Sequence, residues 1–154
     1  MAVAPNTTFV SGAVLTAAQQ NAFPRGIMGY AISTANISCG TSATDLTGMS
    51  ITFTAVANRL YRATFSGFGQ QSANARNFLQ MTDSAGTVFD SSVVGLSTLG
   101  ASTYYLNTAV YLFTATGSIT RKMRGSVDTG TINYLGNPVD GRTYSFTIED
   151  IGGI

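Results

Sequence analysis

The chain has 154 residues, enough for one domain with a real core and too few to expect two. Charged residues are only 10% of it, against roughly 25% in ordinary soluble domains, and mean hydropathy is +0.19, so much uncharged surface is expected to meet another protein. A net charge of +1 with one short basic cluster gives no electrostatic footprint for nucleic acid or an anionic membrane.

Residues 1–14 are polar and irregular, with Pro5 and Gly12, and show no period. They read either as a loose terminus or as an arm that orders only against a neighbour. The segment lacks the basic start and apolar run of a signal peptide, and no apolar run in the chain reaches the ~18 residues of a membrane helix. Thr16 is placed to cap a short helix over residues 17–22, because its hydroxyl can accept a backbone N–H that has no partner in the first turn. Pro24 stops that helix and Gly26 frees the backbone to turn. This divides the chain into residues 1–26, an arm and short helix, and residues 27–154, a β domain. Phe9, Val14, Leu15, Phe23 and Arg25 are the apolar and basic side chains expected to dock the arm.

From residue 27 onward the pattern is β. Residues 27–32 form an expected first strand, followed by a loop through Gly48. Ile51 and Phe53 alternate with Thr52 and Thr54, and Tyr61, Ala63 and Phe65 alternate with Arg62, Thr64 and Ser66, as half-buried strands do. Asn58 between them is expected to close a tight hairpin. Residues 78–83 and 87–94 flank Ser84, Ala85 and Gly86, the spacing of a short hairpin with glycine in the left-handed position. Across 104–115, Tyr104, Leu106, Val110 and Leu112 fall on one face, and Tyr105, Ala109, Tyr111 and Phe113 on the other. Both faces are apolar, so the second needs cover from a loop or from another subunit. In 119–127, Arg121 shares a face with Ile119, Met123 and Val127, while Lys122 and Arg124 point the other way. A last pair, 131–135 and 142–151, places Tyr144, Phe146 and Ile148 inward. About eight to ten short strands separated by turn signals make an all-β antiparallel sandwich or jelly roll.

Histidine is absent and there is a single cysteine, Cys39, which excludes His-based triads, zinc sites of the usual kind and an internal disulfide. The one Glu, Glu149, adjoins Asp150 on a strand, so the two carboxylates leave opposite faces and cannot act as a pair. No glycine-rich phosphate loop or Asp-rich calcium loop occurs. No enzyme, cofactor or metal is expected. Arg121, Lys122 and Arg124 read as an acidic-partner patch or, more simply, as a solvated face with one paired arginine. Tyr104, Tyr105, Tyr111 and Tyr134 suit sugar stacking, cores and interfaces alike.

The segment VLTAAQQNAFPRGIMG at 14–29 resembles the opening of small structural proteins of tailed bacteriophages, in which a G-x-x-L-T-A-A-Q-x-N stretch precedes P-R-G and a β domain. The ending FTIEDIG at 146–152 is similar to the closing strand of the same proteins. The resemblance covers the two ends of the chain and implies a virion component, often trimeric, assembled in the host cytoplasm, that decorates the capsid or belongs to the tail. The expected partners are copies of the chain itself and other virion proteins, with Tyr105, Tyr111, Phe113 and Arg121 as the oligomer interface. The alternative is a receptor- or glycan-binding module of a tail tip or fibre.

Overall fold

A computed structural model describes residues 14, 16–96, 104–136 and 142–154. Ten strands occur among them, every pairing antiparallel: β1 (Gly26–Ser33), β2 (Ile37–Cys39), β3 (Thr44–Ala55), β4 (Arg59–Gln71), β5 (Arg76–Thr82), β6 (Val88–Leu96), β7 (Tyr104–Phe113), β8 (Gly117–Val127), β9 (Ile132–Tyr134) and β10 (Tyr144–Gly153). Ahead of β1, Ala17–Ala22 carry one short stretch of helical geometry, with the Thr16 hydroxyl accepting the Gln19 N–H.

The strands form two layers. Sheet A runs β1-β10-β4-β9-β2, with β7 paired to the other side of β4, and sheet B runs β3-β8-β5-β6. Apart from the β5–β6 hairpin, neighbours in each sheet are distant in sequence, the double Greek-key order of a jelly roll. Alternation drives the layering, because a strand whose odd and even residues differ in polarity can bury only one set. In β3, Leu46, Met49, Ile51, Phe53 and Ala55 are buried while Ser50, Thr52 and Thr54 face water.

The core lies between the layers, around Tyr61, Phe65, Tyr111, Tyr134, Tyr144, Phe146, Leu79 and Met123. Several of its aromatic rings meet edge to face, as Phe53 does with Tyr61 at 5.2 Å and Phe65 with Tyr134 at 5.8 Å, a geometry their quadrupoles favour. Two buried tyrosine hydroxyls are anchored: Tyr111 donates to the Leu79 carbonyl at 2.8 Å, and Tyr134 donates to Asn77 Oδ1 at 3.0 Å.

Several sequence expectations change here. Asn58 does take the left-handed conformation, with φ 59°, yet no hairpin forms around it. β3 joins sheet B and β4 joins sheet A, so this turn carries the chain from one layer to the other. The stretch expected as a loop through Gly48 contains β2 and the first part of β3. The first half of β3 was illegible because a register shift between Asp45 and Ser50, with Gly48 at φ +82°, breaks its alternation. The hairpin at Ser84 to Gly86 forms as expected, between β5 and β6, with Gly86 at φ 91°.

Candidate association face

The pleat of β7 decides where its two apolar sets go. Tyr61 of β4 lies opposite Phe113, Ala63 opposite Tyr111, and Phe65 opposite Ala109. In the last two pairs a large residue meets an alanine, and in the first the two rings stack, so that set packs into the core. Tyr111 is 1% exposed, and Phe113 packs against Tyr61 with ring centroids 5.6 Å apart. Tyr105 is half-buried on the same side, and burial pushes its phenol pKa above the usual value.

Arg121 also turns inward. Its guanidinium lies 4.1 Å from the Phe89 ring centre and 4.9 Å from that of Phe113, and donates to the Thr120 carbonyl at 3.1 Å. Loss of water lowers its pKa from the ordinary guanidinium value, and the negative charge of Asp83 works in the other direction. The four residues expected at an oligomer interface therefore all point into this subunit's own interior. Lys122 and Arg124 do lie on the outer surface, where both pair with Asp45, at 2.5 and 2.9 Å.

The opposite set of β7 is the uncovered one. Tyr104, Leu106, Val110 and Leu112 stand on the outside of sheet A, joined there by Phe68 of β4 and by Ile27, Tyr30 and Ile32 of β1. These eight residues are 40 to 66% exposed. Register places them on one surface: Tyr30, Thr147, Thr64 and Val110 form one cross-strand row, and Ile32, Ser145, Ser66 and Thr108 the next. A third row holds Ile27, Glu149, Arg62 and Leu112, in which Arg62 and Glu149 pair at 2.8 Å. At the margin the Arg142 guanidinium lies over the Tyr104 ring at 4.6 Å.

Sheet B is unlike this. Its outer surface carries Ser50, Thr52, Thr54, Thr120, Lys122 and Arg124, with a hydroxyl contact of 2.8 Å between Thr52 and Thr120. The outer side of β3 and β8 is thus dressed for water, whereas sheet A carries exposed apolar strips along β1 and β7. Alternation shows two apolar sides on β7, and the exposed side is the set opposite to the one expected at an interface. Ile27, Tyr30, Ile32 and Phe68 also lie outside the expected set, their only sequence signal being apolar residues at every second or third position of edge and central strands.

The start of the described chain is tied to one end of the sandwich. Arg59 and Asp150 form a buried ion pair, Arg59 Nη2 meeting Asp150 Oδ1 at 2.7 Å. Arg59 Nη2 also donates to the Phe23 carbonyl at 2.5 Å, and the Gly152 N–H donates to Asp150 Oδ1 at 3.0 Å. The chain before β1 is therefore held where β4 begins and β10 ends. Val14 and Phe23 are exposed, as is Arg25, while Phe9 and Leu15 lie outside the described residues.

Glu149 lies outside with Arg62 and Asp150 inside with Arg59, so the adjacent carboxylates do face apart. Two surface hollows of about 300 and 320 Å³ sit beside the ends of β4 and β7, lined by residues such as Asn58, Thr114 and Ile154, and by Leu60, Leu112 and Phe113. Neither is lined by an ionisable side chain. Among the described residues no group of three His, Cys, Asp or Glu could hold a metal ion, and no helix is long and apolar enough to cross a membrane.

The chain matches no protein-family model, and no curated protein matches it. Among solved structures it is similar to the Eiger TNF of S. frugiperda at 8% identity and a TM-score of 0.53, covering 84% of this chain and 96% of that one. At that identity the likeness is one of fold. Weaker likenesses are to a carbohydrate-binding module from the Cellvibrio mixtus lichenase 5A (14% identity, TM-score 0.42, 84% and 91% covered) and to a chain of the Cyanophage Pam1 capsid asymmetric unit (13% identity, TM-score 0.37, 95% and 99% covered).

Proposed function

We propose that this chain is a structural protein of a bacteriophage virion, a β-sandwich that decorates the capsid or belongs to the tail and docks through its N-terminal arm. The observation that carries this reading is the pair of exposed apolar strips along β1 and β7 on the outer face of sheet A, where the charged pair, Arg62 and Glu149, is satisfied within the chain, on a sandwich whose β3 and β8 present a polar outer side. Exposed apolar surface of this extent is costly to leave in water and serves a protein that spends its working life assembled. The resemblance of residues 14–29 and 146–152 to phage structural proteins supplies the kind of assembly, and the tie between Arg59 and Phe23 gives the arm a fixed point of departure.

The chemistry of assembly is then simple. Apolar contacts supply affinity, and attachment through several arms multiplies weak contacts into stable binding. The test is co-sedimentation of the purified chain with virions of the same phage assembled without it. The full chain is expected to pellet with the particles, and a variant lacking residues 1–14 to remain in the supernatant while keeping its fold. A full chain that stays soluble overturns the virion reading, and a deletion variant that still pellets overturns the role of the arm.

A further inference from the structure

Arg59, Arg62, Arg76, Lys122 and Arg124 each hold a carboxylate oxygen at 2.9 Å or closer. Arg121 is only 7% exposed, yet among the described residues no carboxylate oxygen lies within 4.0 Å of it. Its one hydrogen bond runs from Nη1 to the carbonyl of the preceding residue, Thr120, and its Nε is buried with no acceptor. The charge of Asp83 reaches Arg121 only at a distance, because Asp83 Oδ1 accepts the N–H groups of Ala85 and Thr87 at 2.9 Å.

The side chain lies at the margin of the sandwich, where β6, the last strand of sheet B, meets β7, whose one partner in sheet A is β4. Phe89 and Phe113, the rings over its guanidinium, come from these two strands, and Phe89 is itself 51% exposed. The guanidinium is therefore one ring beneath the surface. A phenyl face attracts a cation but has no lone pair for an in-plane N–H. With rings alone for company, a buried guanidinium keeps both its charge and its donors unmet, a costly state.

We infer that Arg121 is a binding site for a carboxylate, which takes the Nε–Nη2 edge of the guanidinium through two parallel N–H···O bonds. Water could accept one of these N–H groups but brings no countercharge. A carboxylate brings the charge and matches the fork in both spacing and plane. A tetrahedral sulfate would press its remaining oxygens against the rings. Phe113 pairs with Tyr61, two residues beyond Arg59, so the site belongs to the pole at which Phe23 is held. An acidic side chain of the particle is one source of the carboxylate, and to that extent the inference rests on the virion reading; a small free carboxylate is the other.

The experiment is an NMR titration of the isotope-labelled full chain with sodium acetate replacing sodium chloride at constant ionic strength. The Arg121 Nε–H signal is expected to shift saturably, with half-saturation on the order of 10 mM, and to stay in place with sulfate. The melting temperature is expected to rise with acetate more in the parent than in Arg121→Gln. Circular dichroism reports whether that variant is folded; if it is not, the Nε–H signal of the parent decides alone. A signal that ignores acetate or moves equally with sulfate overturns the inference, as does a gain in melting temperature that a folded Arg121→Gln retains.

Co-sedimentation with particles separates the two sources. Particle binding weakened about 10-fold or more by Arg121→Gln, and competed by acetate, assigns the carboxylate to an acidic side chain of the particle. Acetate binding with particle binding unchanged by the substitution assigns it to a free carboxylate. A chain that binds acetate and never sediments refutes only the virion reading, and one that sediments without binding acetate refutes only the carboxylate site.

Discussion

Burying Arg59 and Asp150 against each other removes two charges from water, an arrangement that holds only while each keeps its partner. Asp150→Ala is expected to lower unfolding free energy by about 3–5 kcal/mol in urea titrations, because the guanidinium stays buried with its countercharge gone. Removing one core hydroxyl is milder: Tyr111→Phe leaves the Leu79 carbonyl short of a donor at 2.8 Å and is expected to cost about 1–2 kcal/mol. Cys39 is fully buried and its thiol pKa is pushed up to about 11, so it is expected to ignore a thiol reagent in the native protein and to react once urea unfolds the chain. Two exposed carboxyls set the acid limb. Asp83 is held below the usual carboxylate range chiefly by the Thr87 backbone N–H, and Asp128 chiefly by the Arg76 side chain. A folded pKa below the unfolded one stabilises at pH above the unfolded value, near 3.9, and the benefit disappears as pH falls through the depressed folded value. Thermal melts are therefore expected to be flat between about pH 7 and 5 and to fall below about 4, with a shallower fall in an Asp83→Asn, Asp128→Asn double variant. The pairing of Lys122 and Arg124 with Asp45 was not legible in sequence, since Asp45 stood in a segment read as loop.

β4 is the strand on which sheet A is built, pairing with β10 and β9 along one edge and with β7 along the other. Its glycines permit that closeness. A Cβ on Gly67 would lie 2.5 Å from Cβ of Tyr144, and one on Gly69 would lie 2.5 Å from Nδ2 of Asn107. Gly67→Ala is expected to cost about 1–3 kcal/mol, read as a lower urea midpoint at unchanged slope, because neither strand can retreat without disturbing the core. β7 shows how far sequence carries an argument at this scale. Its existence, its length and its two apolar sides were all legible from alternation. Which side faced in was not, since Leu106, Val110 and Leu112 are as apolar as the set that is buried. The decision lies in the partner strand, where Ala63 makes room for Tyr111 and Phe65 takes the space beside Ala109. Such pairing is visible only once register is known, and for the same reason Asn107 sits in the core, accepting from Asn77 at 2.6 Å.

For the molecule as a whole, the sandwich followed from short alternating strands and turn residues, while the division into layers did not. Adjacent strands such as β3 and β4 were read as hairpin partners because sequence neighbours usually pair; in a jelly roll the turn at Asn58 instead bridges two sheets. If copies cover each other's sheet A, folding and association are linked, and the melting temperature is expected to rise with protein concentration in calorimetry. A melting temperature independent of concentration would speak for a chain stable alone. Polarity along the strand axis follows from the tie at Arg59. The Phe23 carbonyl, the start of β4, the end of β10 and the bond from the Ile154 N–H to the Asn58 carbonyl all lie at one pole. The turn from Ser72 to Ala75 lies at the other, where Ser72 donates its N–H to the Thr131 carbonyl and Asn74 is exposed. Cargo joined after Ile154 would lie at the pole where Phe23 is tied to Arg59, whereas a peptide inserted at Asn74 would be carried at the opposite pole, making that turn the natural place to add a foreign epitope.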